Sequence, residues 1–192
     1  MGRIILVTGG ARSGKSSFAE QLTGGMGAEI AYIATAMALD AEMEDRIAKH
    51  RRQRPDCWQT FEAPTHPAGV IGERGNHVDA ILLDCLTVMA TNRMLDQPPS
   101  VDWEHPTVAQ MNAIEANVLA EVEAIIAAAT GVRADLVAVT NEVGFGIVPL
   151  SPLSRFFRDC VGRVNQRMAR AAAEVYLVVS GIPVRIKGEG AA

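Results

Sequence analysis

The sequence predicts an α/β fold, with helices covering both faces of a mostly parallel sheet. Short apolar runs alternate along the chain with longer segments of helical periodicity. The apolar runs cover residues 4–7, 30–34, 80–84, 136–140 and 175–179. These runs are almost continuously apolar, which indicates strands buried on both faces, as in a parallel sheet between helix layers. Strand–helix alternation of this kind predicts right-handed crossover connections.

The helical periodicity occurs in residues 14–22, 40–52, 108–129 and 154–173. In the third segment one face is predicted to be apolar and to pack on the sheet. That face consists of Val108, Met111, Ile114, Val118, Val122 and Ile125. After the last long strand, Gly181 predicts a turn into a short edge strand. Residues 63–76, rich in Pro and Gly, and residues 96–106, with three prolines, are predicted to be loops.

Composition predicts one globular domain spanning residues 1–192. Of the 192 residues 48% are apolar and 21% charged, which excludes disordered and collagenous classes. A net charge of −4 argues against nucleic-acid coating or binding to an anionic membrane surface. No apolar stretch approaches the ~20 residues of a membrane span. Three cysteines are too few for a disulfide framework, so a cytoplasmic location is expected, with no membrane insertion.

The clearest chemical motif lies between the first strand and the first helix. Its residues are Gly9, Gly10, Ala11, Arg12, Ser13, Gly14, Lys15 and Ser16. They match the phosphate-loop pattern G-x-x-x-x-G-K-[ST] in its required strand–loop–helix context. Backbone N–H groups of such a loop surround phosphate oxygens, and the helix N-terminus adds partial positive charge. Lys15 is predicted to reach the outer phosphates and Ser16 to ligate Mg²⁺, which makes the chain a nucleoside-triphosphate binder.

Acidic residues follow two other predicted strands, at the edge where open α/β sheets bind ligands. Asp84 ends the run 80–84 and is expected either to contact Mg²⁺ or to cap the next element. Asn141 and Glu142 follow the run 136–140. They could position substrate, water or metal, or could form hydrogen bonds within the loop.

Residues 40–55 form a predicted helix with an acidic first turn, a basic last turn and a terminal proline. Met43, Ile47 and His50 fall on one face of it. Spacing alone favours His50 as a core histidine. A neutral imidazole among cations would alternatively be a good nucleophile toward phosphorus. The neighbouring cations are Lys49, Arg51, Arg52 and Arg54.

These motifs together resemble the bifunctional adenosylcobinamide kinase/adenosylcobinamide-phosphate guanylyltransferase family. The resemblance runs through residues 9–16, 32–36, 40–55, 140–144, 146–149, 157–159, 162–166 and 178–181. The phosphate loop is common to many proteins. Its combination with the Arg46-Ile47-x-x-His50-x-x-x-Arg54-Pro55 spacing and the Asn-Glu-Val-Gly run at 141–144 is specific.

The resemblance implies a RecA-like fold, a homotrimer and two reactions. ATP or GTP first phosphorylates adenosylcobinamide. His50 then takes GMP from GTP, releasing pyrophosphate, and passes it to adenosylcobinamide phosphate to form adenosylcobinamide-GDP. Lys15 would be catalytic with His50, while Ser16 and Asp84 would hold Mg²⁺. The other implied nucleotide contacts are residues 9–16, Ala34, Thr35, Ala36, Arg51, Arg52, Gln53, Arg54, Glu62 and Asp84.

Three other functions fit a phosphate loop. A single-function small-molecule kinase would form no covalent intermediate. A GTP switch would carry an Asn/Thr-Lys-x-Asp run, whereas residues 141–144 are Asn-Glu-Val-Gly without lysine. A structural protein could bind nucleotide without turnover.

Overall fold

A computed structural model of the protein describes residues 1–38, 55, 57–96 and 101–189. The strands are β1 (Ile4–Gly9), β2 (Ile30–Ala34), β3 (Gln59–Glu62), β4 (Ala80–Asp84), β5 (Asp135–Val139), β6 (Glu174–Val179) and β7 (Ile182–Lys187). The described helices are α1 (Lys15–Gly24), α2 (Pro67–Arg74), α3 (Leu86–Leu95), α4 (Val108–Gly131) and α5 (Pro152–Ala171). The predicted helix 40–52 lies outside the described residues.

The strands form one 7-stranded sheet in the order β3-β2-β4-β5-β1-β6-β7. Every neighbouring pair is parallel except β6 and β7, which are antiparallel. The predicted mostly parallel α/β sheet with a short antiparallel strand at the C-terminus is therefore confirmed. Strand β1, which leads into the phosphate loop, lies between β5 and β6.

The central strands are buried on both faces, as their continuous apolar runs predicted. Ile4 and Leu6 belong to a core cluster that includes residues of α3, α4 and α5. Ile5 and Val7, whose side chains alternate with them, belong to a second cluster that includes Ala19 of α1. Strand β6 differs, because only two of its residues are buried and Val179 is 54% exposed. It lies next to the edge of the sheet, where fewer helix side chains are available to cover it.

The prediction of a continuous loop at residues 63–76 is wrong, since α2 occupies Pro67–Arg74. Its proline stands in the first turn, where a missing N–H costs no hydrogen bond. Ile71 is fully buried, and Glu121 of α4 accepts a hydrogen bond from Ala68 N (3.1 Å). A helix in this Pro- and Gly-containing segment therefore depends on packing against α4.

Besides α2, two described elements, β3 and α3, have no counterpart among the predicted ones. The β3 strand is short and largely exposed at the sheet edge, so its four residues give little apolar signal. Helix α3 follows β4 after one residue and buries Leu86, Met89 and Met94. Apolar residues in both elements make the strand–helix boundary hard to recognise in sequence.

Helix α4 agrees with the predicted apolar face except at its first residue. Val108 is 68% exposed, whereas Ile114, Val118, Val122 and Ile125 are buried. The helix begins with a capping box in which Thr107 and Gln110 exchange hydrogen bonds. Val108 follows that cap directly and lies beyond the layer packed on the sheet. Residues 101–107, the described part of the predicted loop 96–106 after Asp96, contain no helix or strand.

Within the described ranges, no helix is both long and apolar enough to cross a membrane.

Candidate nucleotide site

The phosphate loop connects the carboxyl end of β1 to the first turn of α1. Gly14 precedes the helix with φ of 91°, and Arg12 also has a left-handed φ of 55°. These values turn the backbone sharply between a buried strand and a helix N-terminus. Lys15 is 9% exposed, and its Nζ donates to the Gly10 carbonyl at 3.1 Å. The ammonium group therefore lies against the loop itself.

Two glycines are required by close contacts. A Cβ at Gly9 would lie 2.5 Å from the Val178 carbonyl oxygen. A Cβ at Gly14 would lie 3.0 Å from Gly181 Cα, in addition to the strain of its positive φ. Gly181 belongs to the β6–β7 turn, and its N–H donates to the Ser13 carbonyl at 2.8 Å. The C-terminal hairpin therefore supports the phosphate loop, a contact that sequence analysis missed.

Hydroxyl side chains lie in the phosphate loop and next to it. The Oγ of Ser13 and the Oγ1 of Thr8 are buried and have no hydrogen-bond partner among the described residues. Buried hydroxyls without hydrogen-bond partners are uncommon and destabilising. Ser16 is half-buried in the first turn of α1. Its hydroxyl is a hard oxygen donor of the kind that Mg²⁺ prefers.

The strand register brings three predicted nucleotide contacts into one row at the sheet edge. Ala34 of β2 is paired with Glu62 of β3 on one side and with Asp84 of β4 on the other. Neighbouring strands are ~4.8 Å apart, so Asp84 lies two spacings, about 10 Å, from the line of β1. Glu62 is four spacings away, about 19 Å, and exposed. A nucleotide with its phosphates at β1 would reach Glu62 only with its opposite end.

Asp84 does not cap the helix that follows it. The N-cap of α3 is Cys85, and no side-chain cap hydrogen bond is present there. One carboxylate oxygen of Asp84 accepts a hydrogen bond from the Tyr32 hydroxyl at 3.1 Å. The described residues contain no group of three or more His, Cys, Asp or Glu suited to a metal. Ser16 and one carboxylate nevertheless fit Mg²⁺, which usually takes its remaining ligands from phosphates and water.

Cys85 is next to Asp84 but is not a candidate nucleophile. Burial, followed by the negative charge of Asp84, raises the pKa of the Cys85 thiol to about 12. The thiolate form needed for attack is therefore almost absent at neutral pH.

Thr35 is held in place from two directions. The Thr35 hydroxyl accepts from Cys85 N–H (2.8 Å) and donates to the Cys85 carbonyl (2.9 Å). Asn92 of α3 donates to the carbonyls of Thr35 and Pro64, each at 2.9 Å. These contacts fix the segment after β2, and sequence analysis did not identify Asn92, because α3 itself was not predicted.

Asn141 begins a loop whose backbone is fixed by a buried polar network. Its N–H donates to Thr87 Oγ1 (2.7 Å), and its carbonyl accepts from Asn165 Nδ2 (3.0 Å). The hydroxyl of Thr140 completes the network by donating to Asn165 Oδ1 (2.6 Å).

Glu142 connects this network to the phosphate loop. Its N–H donates to the Gly9 carbonyl at 3.0 Å. Its carboxylate accepts from Gly144 N–H at 2.7 Å, so hydrogen bonding within the loop accounts for part of its environment. Asn165 lies in residues 162–166, one of the segments that carry the family resemblance. The sequence alone did not indicate what Asn165 does.

Several predicted site residues lie outside the described part of the chain. They are His50, Arg51, Arg52, Gln53 and Arg54.

The geometry of the described residues defines a class of protein. A phosphate loop follows a central parallel strand, and an acid ends a strand two positions away in the same sheet. These features are those of P-loop nucleoside-triphosphate-binding proteins.

Comparison with known proteins identifies the family within that class. Residues 5–186 match the CobU family, described as cobinamide kinase / cobinamide phosphate guanyltransferase. This chain belongs to that family.

Characterised relatives match over nearly their full length. The bifunctional adenosylcobalamin biosynthesis protein CobU of Escherichia coli K12 is 49% identical over 187 residues, covering 96% of this chain and 99% of the relative. The Salmonella typhimurium CobU protein is also 49% identical, with the same coverage. The Pseudomonas aeruginosa CobP protein is 38% identical over 96% of this chain and 97% of its own.

Among solved structures, the P4 protein of bacteriophage phi6 in complex with ADP aligns with a TM-score of 0.41 and 10% identity, covering 94% of this chain and 52% of that one.

Proposed function

We propose that this protein phosphorylates adenosylcobinamide with ATP or GTP and then transfers GMP from GTP to the resulting phosphate. The products are adenosylcobinamide-GDP and pyrophosphate. The single observation that carries the proposal is family membership over residues 5–186. The ordered phosphate loop supplies the site at which both reactions would bind a triphosphate.

The kinase step follows from the geometry of the phosphate loop. Phosphoryl transfer depends mainly on positioning and on neutralising charge at the phosphate oxygens. Backbone N–H groups at the start of α1 and the ammonium of Lys15 would supply that charge. Ser16 and Asp84 would hold Mg²⁺, which would supply positive charge to offset that of the phosphate groups.

The guanylyl step adds a covalent stage, for which we propose His50 as nucleophile. The imidazole nitrogen would form a bond to the α-phosphorus of GTP while the bond to the pyrophosphate leaving group breaks. A phosphate oxygen of adenosylcobinamide phosphate would then attack the same phosphorus and release the histidine. Support comes from the sequence alone, where His50 stands among Lys49, Arg51 and Arg52 and matches the family spacing.

Three further statements belong to the same proposal. Residues 1–192 would form one catalytic domain, the protein would be a cytoplasmic homotrimer, and GTP or ATP would be bound by the predicted contacts. Those contacts include Ala34, Thr35, Ala36, Glu62 and Asp84 at the carboxyl edge of the sheet, and residues 51–54.

A mass-spectrometric experiment tests the guanylyl step, and a parallel assay of adenosylcobinamide phosphorylation tests the kinase step. The protein is mixed with GTP and Mg²⁺ and its intact mass is measured before and after adenosylcobinamide phosphate is added. We expect a GMP adduct that is stable in base, labile in acid, located on His50 and discharged by the acceptor. His50→Ala should lack the adduct and retain some kinase activity, and His105→Ala provides a matched control.

Two outcomes would contradict the proposal. Full guanylyl transfer by His50→Ala would exclude this histidine as the nucleophile. Phosphorylation of adenosylcobinamide without any adduct or GMP transfer would leave the protein a single-function kinase.

A further inference from the structure

An exposed apolar loop leaves the sheet beside the phosphate loop. We define the apolar loop as residues 143–150, between β5 and α5. Phe145 is 86% exposed, Ile147 94% and Leu150 97%. Val148, at 63%, adds to the same segment. So many large apolar side chains exposed in one short loop are unusual, and such patches on soluble proteins commonly mark binding sites.

The backbone of the apolar loop is fixed at both ends. At its start, Gly144 N–H donates to the Glu142 carboxylate at 2.7 Å. At its end, the Arg155 guanidinium donates to the Pro149 carbonyl at 3.1 Å and also to the Leu150 carbonyl. The apolar side chains are therefore exposed on a loop whose backbone is fixed by hydrogen bonds at both ends. A ligand binding there would incur less ordering cost than on a loose segment.

The position of the apolar loop relates it to the triphosphate site. Strand β5 is the neighbour of β1, and Glu142, immediately before the loop, donates its N–H to Gly9 (3.0 Å). An acceptor whose hydroxyl receives a phosphoryl group must approach the phosphates at this same sheet edge. A large acceptor would then extend over whatever surface adjoins the phosphate loop.

The chemistry of the apolar loop differs from that of the phosphate loop. Residues 143–150 contain no charged side chain. They therefore offer no counter-charge to nucleotide phosphates. Cobinamide, by contrast, presents a wide corrin macrocycle edged by methyl groups and uncharged carboxamide arms. An uncharged apolar surface matches that macrocycle in polarity.

We propose that the apolar loop binds the corrin macrocycle, so that the aminopropanol arm reaches the phosphates held by residues 9–16. This inference rests on the proposed function and assigns the acceptor-binding surface within it. Contact with one face of a macrocycle requires only the few side chains that the loop presents. A second copy of the chain is the competing occupant of this apolar surface, and the oligomeric state of loop variants distinguishes the two.

The test uses serine substitutions in the full-length protein. Ile147→Ser and Leu150→Ser remove apolar area at almost fully exposed positions, so folding should be unaffected. Ile186→Ser is the matched control, because Ile186 is 54% exposed on β7. Its neighbour Lys187 pairs with Val175, at the start of β6, so Ile186 lies toward the sheet edge opposite the phosphate loop. Cobinamide binding is measured by equilibrium dialysis, and KM is measured for adenosylcobinamide and for GTP.

We expect each loop variant to raise the dissociation constant of cobinamide and the KM of adenosylcobinamide about tenfold. The KM of GTP and the formation of the GMP adduct without corrinoid should stay unchanged, as should all values for Ile186→Ser. Sedimentation velocity should give the same oligomeric state for every variant.

Other results would overturn the inference, and they can be separated from failure of the proposed function. Unchanged cobinamide binding in both loop variants would exclude the apolar loop as the corrin surface. Loss of oligomers in those variants would assign the loop to contact with a second copy. If the wild-type protein binds cobinamide without phosphorylating it, the proposed function fails. Weaker cobinamide binding by the loop variants would in that case still support the apolar loop as the corrin-binding surface. Absence of binding by the wild type would overturn both.

Discussion

At the scale of single residues, the phosphate loop depends on one backbone position and one ammonium group. Gly14 adopts φ of 91° directly before α1, with Gly181 Cα only 3.0 Å from the place a Cβ would take. Lys15 follows it and lies against the Gly10 carbonyl. The Gly-Lys pair of the motif therefore meets two separate physical requirements. Gly14 allows a left-handed turn, and Lys15 supplies a buried positive charge.

Gly14→Ala is expected to destabilise the protein by about 1–3 kcal/mol, because alanine is strained at positive φ and contacts the β6–β7 turn. Urea unfolding measures this change in stability. A separate binding measurement should show a weaker affinity for GTP. Gly72→Ala is the control, since a Cβ at Gly72 meets nothing within 4 Å and the residue lies inside α2. It should stabilise the protein by about 0.5–1 kcal/mol. Equal effects of the two substitutions would contradict the proposed strain at Gly14.

Lys15→Ala should reduce both the kinase and the guanylyl-transfer rate by about 10²-fold or more, because both reactions would use one triphosphate site. Initial rates of the two reactions, measured separately, test this expectation. Lys187→Ala serves as control, since Lys187 lies on β7 and bonds the last carbonyls of α5. A normal guanylyl-transfer rate in Lys15→Ala would demonstrate separate nucleotide sites.

At the scale of elements, α4 joins α2 and α3 through one buried acid. Glu121 is 7% exposed, accepts from Ala68 N–H at the start of α2 and forms an ion pair with Arg93 of α3 at 3.5 Å. Arg93 also donates to the Thr65 carbonyl, in the segment before α2. The short helix α2 is thus anchored by charge as well as by the burial of Ile71.

Glu121→Ala should lower the free energy of unfolding by about 1–3 kcal/mol, because Arg93 loses its buried counter-charge and Ala68 N–H loses its acceptor. Glu123→Ala, two residues further along the same helix, should cost less than about 1 kcal/mol. Its carboxylate is 53% exposed and pairs with Arg167 at the surface. Chemical denaturation of both variants provides the measurement, and a comparable loss in each would refute the anchoring role of Glu121.

Helix α5 fixes the loop after β5 through Asn165. Asn165→Leu should destabilise the protein by about 1–3 kcal/mol, since the buried Thr140 hydroxyl and the Asn141 carbonyl lose their hydrogen bonds to Asn165. Gln166→Ala, at the exposed neighbouring position, should change stability by less than about 0.5 kcal/mol. Thermal unfolding compares the two. If Asn165→Leu unfolds like the wild type, the network does not hold this loop.

At the scale of the whole molecule, the reactivity of the cysteines shows how well the folded core excludes solvent and reagents. Burial raises the pKa of Cys85 and of Cys160 to about 12, and neither forms a disulfide. Cys57 is exposed. Alkylating reagents react with the thiolate and not with the thiol. Burial and the raised pKa therefore both slow the alkylation of Cys85 and Cys160.

Native protein at pH 8 should therefore react rapidly with iodoacetamide at Cys57 only. Cys85 and Cys160 should be modified at the rate of unfolding, and all three should react in guanidinium chloride. Peptide mass spectrometry after timed quenching distinguishes the sites. Rapid modification of Cys160 in the folded protein would mean that the helix layer around α5 opens readily.

Several features of the fold could be predicted from sequence because local signals and tertiary packing agree. Strands β1, β2, β4 and β5 are buried on both faces, and their apolar runs are correspondingly continuous. Helix α2 was missed because Pro67 and its glycines suggest a loop, whereas the buried contact with Glu121 stabilises a helix. For the candidate site, strand ends located Asp84 and Glu142, but their hydrogen-bond partners come from distant segments.

By itself, the sequence determined the parallel α/β class, the phosphate loop and the family resemblance, since each depends on residue types at short, fixed spacing. Only the tertiary structure decided which strands are neighbours, and hence that Asp84 lies about 10 Å and Glu62 about 19 Å from the line of β1. It also decided that Gly181 hydrogen-bonds the Ser13 carbonyl of the phosphate loop and that Asn165 hydrogen-bonds the Asn141 carbonyl. The physical reason is that strand order and long-range hydrogen bonds are selected by the packing of the whole chain, which no local pattern specifies.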